Sequence, residues 1–401
     1  MAKKQKKQFK KTSVSVPTRA SGSKRFFARI KVVGVGGGGG NAVSRMMEGN
    51  RIRGVEFIAV NTDAQDLDHA SAHRKIYIGK ALTHGLGTGM NPELGKQAAE
   101  ENRSEIGEAI EDADIVFVTA GMGGGTGTGG GPIVAEISKE KGILTIGIVT
   151  RPFTFEGTQR ATIAQDGLNR LKEKVDALVV IPNDRIFGLI NKDTPMIRAF
   201  GYVDDVLQNA VKAIADLINA PGIINVDFAD IKTTLRDAGA TLIGIGEAFG
   251  SDRSVKAVNM AINSPLLEIS IEGAKGALFS IAGGRDMKMA EIHDIAKAIS
   301  SNLDPSARVI FGAYHDRSLK DKSIKVTVVA TGFNGILHQK MSAPTLFVPA
   351  EFPKRENSSK EEGVKPHGDK EKKGKEEKNE EFGDGKDDQW EIPAFMRKKK
   401  K

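Results

Sequence analysis

Residues 30–41 read IKVVGVGGGGGN, a β-branched run that passes directly into five consecutive glycines and an asparagine. Residues 115–129 repeat the arrangement as IVFVTAGMGGGTGTG. Each is an apolar strand followed by a glycine loop that opens an amphipathic segment. Glycine lets backbone N–H groups approach a phosphate with no Cβ in the way, and the helix start adds favourable partial charge. One such turn equally suits a dinucleotide-binding fold, which also wants an acid after its second strand. Asp63, in Ala59-Val60-Asn61-Thr62-Asp63, stands where that acid belongs. Two such loops at the carboxyl ends of parallel strands converge on one crevice, an arrangement better suited to a polyphosphate than to a dinucleotide. The second loop holds no Lys, so it is not a P-loop, and Thr126 and Thr128 add hydroxyl donors.

Working outward, further apolar runs lie at Val55–Val60, Ile143–Val149 and Ala177–Ile181. Amphipathic segments Asn41–Glu48, Pro132–Lys141 and Arg160–Lys174 separate them. Strands alternating with helices predict an α/β fold: a Rossmann-like parallel sheet with helices on its faces. A long helix is predicted over Thr194–Ala220, with Ile197, Phe200, Val203, Leu207, Val211, Ile214 and Leu217 at steps of three and four. About 25 residues at 1.5 Å each span ~38 Å, enough to bridge two domains. A second, smaller α/β or α+β unit follows. Its predicted strands are Ala240–Gly246, Ala277–Ala282, Arg308–Ala313 and Ile324–Thr331, and its helices Ala229–Asp237, Ser254–Asn263 and Ala290–Asn302.

The net charge of +8 is not a property of the predicted folded body. Residues 1–31 carry +11 and residues 334–401 carry +2, which leaves −5 for the rest. The basic pI is therefore no argument for a nucleic-acid-binding fold, although the amino-terminal arm can touch polyanions non-specifically. The chain has no Cys, which excludes disulfides, thiolate metal sites and thiol nucleophiles. No run of 18 apolar residues and no secretory signal is present, so a cytoplasmic location is expected.

Residues 225–230 read NVDFAD. Asp227 and Asp230 are three apart and share a face if a helix begins at Asp227. The same spacing suits simple helix capping, and spacing alone leaves both open.

Taken in order, these motifs resemble the tubulin/FtsZ GTPase superfamily, and within it the bacterial cell-division branch. The resemblance runs from Ile30 to Phe333, three-quarters of the chain, and residues 123–129, GGGTGTG, carry the superfamily signature. Residues 89–95, GMNPELG, resemble the loop around the third strand, and 151–157, RPFTFEG, the ribose-contacting segment. Gly130-Gly131 and Glu247 depart from the usual small or apolar residues, and the basic arm is longer than usual.

The resemblance implies GTP hydrolysis, with Mg²⁺ held mainly by the nucleotide and no protein metal cluster. The phosphates would be held by Gly37, Gly38, Gly39, Gly40 and Asn41 and by Gly124, Gly125, Thr126, Gly127, Thr128 and Gly129. Glu156 and Arg160 would contact the ribose and phosphates; at i, i+4 they share a helix face, where they also suit a plain ion pair. Asn183, Phe200 and Asp204 would form the base site. A carboxylate accepts from guanine N1–H and N2–H and so selects guanine over adenine, while Phe200 also belongs to the apolar stripe of its helix. Asn225, Asp227 and Asp230 would form the loop that completes a neighbour's active site, because a helix ~38 Å long keeps them from their own nucleotide. Subunits joined head to tail without closure make a filament.

The expected organisation is a disordered basic arm (1–29), a GTP-binding domain (30–193), a central helix (194–222), a second domain carrying the catalytic loop (223–333), a Lys/Glu-rich linker (334–388) and a terminal peptide (389–401). Residues 389–397, QWEIPAFMR, gather apolar side chains after a barren linker. They resemble the peptide by which the family docks membrane tethers and regulators, placing the protein at the division site beneath the membrane.

Overall fold

The structure is a computed structural model. It describes residues 28–333 except 50, 51, 53, 189, 191–192, 220–221, 265–269, 317–318 and 321. The basic arm up to residue 27, the linker and the terminal peptide lie outside the described residues.

The first part of the chain runs β1 (Ile30–Val35), α1 (Gly36–Glu48), β2 (Val55–Asn61), α2 (Ala64–His69), β3 (Arg74–Tyr77), α3 (Lys80–Thr83), α4 (Pro92–Glu101), α5 (Arg103–Ile110), β4 (Ile115–Gly121), α6 (Thr126–Glu140), β5 (Leu144–Arg151), α7 (Thr158–Lys174) and β6 (Ala177–Pro182). Its six strands are parallel, in the order β3-β2-β1-β4-β5-β6. Alternation along β1 divides the core. Val33 and Val35 join the cluster under α4–α7, and Ile30 and Val32 join the one under α1 and the long helix. Both faces are covered, so the strands read as continuous apolar runs.

Next come α8 (Met196–Asn219), β7 (Gly222–Ile224), α9 (Phe228–Leu235), β8 (Gly239–Phe249), α10 (Arg253–Ile262), β9 (Gly276–Gly283), α11 (Met289–Ser300), β10 (Arg308–His315) and β11 (Ser323–Thr331). The second set of strands is mixed, in the order β8-β11-β9-β10-β7, with only β9–β10 parallel. It continues the first sheet through two residue pairs, Ala177↔Gly239 and Leu178↔Ala240. α8 packs its stripe of Leu207, Val211 and Ile214 into the core formed by β1, β2, β4 and β5, and the same cluster includes Leu278 and Val329 of the second set.

Two helices begin earlier than their residue propensities predict. α1 starts at Gly36 rather than Asn41, and α6 at Thr126 rather than Pro132. Poly-glycine is a poor helix former in isolation, but here tertiary contact imposes the conformation. A Cβ on Gly39 would stand 2.5 Å from the Thr119 carbonyl oxygen, and one on Gly129 only 1.9 Å from that of Pro92. These glycines admit neighbouring backbone where a side chain would collide.

Candidate functional site

The glycine-rich amino termini of α1 and α6 meet at the carboxyl ends of β1 and β4. A Cβ on Gly36 would fall 2.9 Å from Gly127 N, and one on Gly38 3.3 Å from Gly121 N. Neither helix has a side-chain cap or an acid in its first turn. Each therefore presents amino-terminal N–H groups and the positive end of its dipole, with the Asp66 carboxylate of α2 beside α1, 3.2 Å from where a Cβ on Gly37 would stand. Gly38 and Asn41 are exposed and Gly37, Gly40 and Gly124 half-buried, whereas Gly39 and residues 125–129 are buried beneath them. Space for a ligand therefore exists above Gly37, Gly38, Gly40, Asn41 and Gly124. Gly125, Gly127 and Gly129 have close-packing roles as well: Gly125 lies against Thr88, Gly127 against the Gly121 carbonyl, and Gly129 against Pro92. Thr128 is spent internally, its hydroxyl accepting from Gly123 N at 2.9 Å.

Thr126 lies at the centre of a hydroxyl group that the sequence did not single out. Its Oγ1 is 2.6 Å from Thr62 Oγ1 and 3.3 Å from Thr88 Oγ1, and all three residues are buried. The signal for Thr62 was its place directly after strand β2, the same position that drew attention to Asp63. Asp63 itself caps α2, accepting from Gln65 N at 3.0 Å and Asp66 N at 3.1 Å. The acid that a dinucleotide site would need for its ribose is thus engaged as a helix cap.

Of the residues expected at the ribose, Glu156 and Arg160 do meet, with Arg160 Nη1 donating to Glu156 Oε2 at 2.7 Å. They do not share a helix face, which corrects the i, i+4 expectation. Glu156 closes a 3-10 turn, Thr154–Glu156, and Arg160 lies in α7 beyond Gly157, whose φ of 98° breaks the helix. The second Glu156 oxygen accepts from Phe153 N at 2.8 Å, which holds the turn in place.

Of the residues expected at the base, Phe200 sits edge-on to Phe153 with ring centroids 5.5 Å apart. Phe153 also stacks on Phe155 at 4.9 Å. Asn183 is buried, and among the described residues its Oδ1 has no hydrogen-bond partner. A buried amide oxygen left unpaired costs roughly 1–3 kcal/mol, which a ligand donor would recover. Asp204 is one turn along α8 from Phe200, as the spacing required. Burial pushes its carboxyl up to about 6, and Arg45 and Asp205 pull in opposite directions. Arg45 of α1, 2.8 Å from Asp204, had no sequence signal, because the pair joins two elements distant in the chain.

The third group stands apart. Asp227 caps α9 with its carboxylate accepting from Ala229 N at 3.1 Å, so the capping alternative is realised. Asp230 lies in the first turn of that helix, and Asn225 Oδ1 accepts from Gly222 N at 2.7 Å. All three residues are exposed. Between this group and Phe200 and Asp204 runs the remainder of α8, ~22 Å from Asp204 to Asn219. Among the described residues, one oxygen of Asp227 and the whole carboxylate of Asp230 remain without a hydrogen-bond partner, exposed at this end of the molecule.

The Tubulin/FtsZ family GTPase-domain model matches residues 29–191, and the FtsZ family C-terminal-domain model matches residues 239–334. Among solved structures, FtsZ from M. jannaschii, determined as a dimer, is 48% identical, covers 78% of this chain and 90% of its own, and superposes with a TM-score of 0.73. CetZ1 from Haloferax volcanii, a GDP-bound monomer, is 24% identical over 77% of this chain and 95% of its own, with a TM-score of 0.67. CetZ2 from the same organism, a GTPγS-bound protofilament, is 22% identical over 76% and 94%, with a TM-score of 0.65. The CetZ likenesses speak to the fold alone. With both domain models matched in order and near-half identity to FtsZ over most of both chains, this chain belongs to the FtsZ branch of the tubulin/FtsZ family of guanine-nucleotide-binding GTPases.

Proposed function

We propose that the chain hydrolyses GTP only in a head-to-tail filament that builds the division ring, each subunit supplying the catalytic loop for the nucleotide of the next. The division of labour follows the chain. Residues 30–193 hold GTP, 194–222 set the spacing, and 223–333 carry the loop. Gly37, Gly38, Gly40, Asn41 and Gly124 would contact phosphates, backed by Gly39, Gly125, Thr126, Gly127, Thr128 and Gly129. Glu156 and Arg160 would hold the ribose, and Asn183, Phe200 and Asp204 the base. The carrying observation is the stretch of α8 between the base site and Asn225, Asp227 and Asp230, ~22 Å from Asp204 to Asn219.

Phosphoryl transfer asks for positioning and charge stabilisation more than for covalent chemistry. The two helix termini stabilise phosphate charge, while exposed Asp227 and Asp230 orient the attacking water and Asn225 shapes the turn. Mg²⁺, held mainly by the nucleotide, would supply charge neutralisation on the phosphates. The hydroxyls of Thr62, Thr88 and Thr126 would offer it neutral oxygens.

Self-association is supported by exposed apolar side chains at both ends. Leu86 and Phe187 lie near the nucleotide crevice at 85% and 55% exposure, and Ile223 lies beside the catalytic loop at 70%. The dimer of the 48% identical FtsZ supports the same reading. No helix among the described residues is long and apolar enough to cross a membrane. Attachment at the inner face of the membrane would therefore run through residues 389–397 and a tether protein. The basic arm would contact nucleic acid only non-specifically.

Mixing two inactive variants tests the shared site. Asp230→Ala lacks the loop carboxylate. Gly124→Asp puts a negative charge in the phosphate crevice at a position with open space for a side chain. Hydrolysis by the mixture well above the sum of the two is expected; a simple sum would refute catalysis between subunits.

A further inference from the structure

α8 crosses one face of the second strand set, and the contact changes character along it. Ala213, Ile214 and Leu217 line a small apolar void with Leu278 and Val329. Beside them the interface turns polar. Asp216 of α8 meets Tyr314 of β10, whose hydroxyl donates to Asp216 Oδ2 at 3.5 Å. Ser280 of β9 also lies beside the Tyr314 side chain. Lys212 of α8, Lys325 of β11 and Asp316 beyond β10 surround the pair, and Glu247 of β8 stands opposite Lys325 in the strand register. Burial and the nearby carboxylates of Asp216 and Asp316 push the phenol up, so it stays protonated and serves as the donor.

The backbone of the same residue makes a second connection. Tyr314 pairs with Gly222 and Ala313 with Ile224 in the antiparallel β7–β10 ladder, and the register slips between the two pairs. Gly222 N in turn donates to Asn225 Oδ1. Tyr314 therefore grips the chain on both sides of the exit from α8: the helix through Asp216, and the strand that feeds the catalytic loop through Gly222. Apolar packing alone is non-directional and lets a helix slide along a sheet. A directional contact, here a long hydrogen bond at 3.5 Å, gives α8 a preferred height, and a misplacement of about 1 Å at a reacting centre costs up to ~100-fold in rate.

We propose that Tyr314 is a positioning residue for hydrolysis, its hydroxyl holding Asp216 and its backbone holding Gly222 so that Asn225, Asp227 and Asp230 stand correctly for the nucleotide of the next subunit. This inference rests on the shared-site reading above. The pairing joins residues 98 apart in the chain and appears only in the structure.

The test uses the full chain carrying Tyr314→Phe, which keeps the ring and removes the donor. Expected are unchanged GTP affinity, polymer visible by light scattering, and phosphate release per polymerised subunit reduced about fivefold or more. Asp216→Ala should match it, while Asp216→Asn, which keeps an acceptor oxygen, should retain most of the rate. Wild-type turnover in Tyr314→Phe, or loss of thermal stability without loss of turnover, overturns the proposal.

Mixtures fix which side of the subunit is impaired and serve if Tyr314→Phe assembles poorly. Tyr314→Phe with Gly124→Asp should exceed the sum of the two, since one supplies a nucleotide site and the other an intact loop. Tyr314→Phe with Asp230→Ala should not, since both are defective at the same end, and the reverse pattern overturns the proposal. If Asp230→Ala with Gly124→Asp shows no excess, the shared-site reading itself has failed. If that mixture recovers while Tyr314→Phe turns over normally, only the positioning role has.

Discussion

Replacing Asp204 by Asn preserves the size of a side chain that is only 16% exposed and exchanges one of its acceptors for a donor. Against guanine N1–H and N2–H, that leaves a donor facing donors, at a cost of roughly 1–3 kcal/mol, or about 5- to 150-fold in affinity. ATP offers an acceptor at the corresponding edge, so its weak binding should hold or improve, and the GTP/ATP ratio should shrink by at least that factor. The pH dependence sharpens the test. Burial lifts the Asp204 carboxyl to about 6 in the free protein. Guanine binds the ionised form, so below that value binding must expel a proton. GTP affinity should therefore fall as pH falls, by up to ~10-fold per pH unit. It should stand roughly tenfold below its plateau at about pH 5 and be flat above about pH 7. Asp204→Asn should remove that slope. Direct fluorescence titration with GTP and ATP across this range, at fixed Mg²⁺, measures both effects. An unchanged GTP/ATP ratio in the variant, or a flat wild-type profile, would return Phe200 and Asp204 to the packing of α8.

Four other outcomes are expected. Gly129→Ala should cost on the order of 1–3 kcal/mol in urea unfolding, because its Cβ would fall 1.9 Å from the Pro92 carbonyl oxygen. Gly40→Ala, with nothing within 4 Å, should be neutral or stabilising by about 0.5 kcal/mol. Arg253→Ala should lower stability by about 3 kcal/mol in the same assay, since its guanidinium is 5% exposed and joins Glu291 and Asp286 between α10 and α11. Removing residues 389–401 should leave GTP turnover and assembly unchanged while abolishing binding to a membrane tether; in the intact chain, the emission of Trp390, its one tryptophan, should shift to the blue when the tether is added.

The strands were legible because a sheet buried on both faces writes itself as unbroken apolar runs, and β1 begins and ends where its sequence says. The α8 stripe was legible for the same reason at the helical period. The glycine helices were not, because Gly36–Gly40 and residues 127–131 are helical through contacts with distant backbone rather than through their own propensities. The short β3 and the helices α2 to α5 lack a long apolar pattern and went unassigned. The site divides similarly. Phosphate loops, Phe200 and Asp204 are local patterns, whereas Arg45 beside Asp204 and Thr62 with Thr88 beside Thr126 arise only when separate elements meet. The Glu156–Arg160 contact was foreseen for the wrong reason: Gly157 breaks the helix that the spacing assumed, and the ion pair forms across the break.

The claim on which the rest depends is that one subunit cannot hydrolyse its own GTP. Phosphate release and light scattering, followed together over a series of protein concentrations at saturating GTP and Mg²⁺, test it most directly. Turnover per molecule should be negligible below a threshold concentration and rise in step with polymer above it. A per-molecule rate that is the same at every concentration, including those with no polymer, would contradict it.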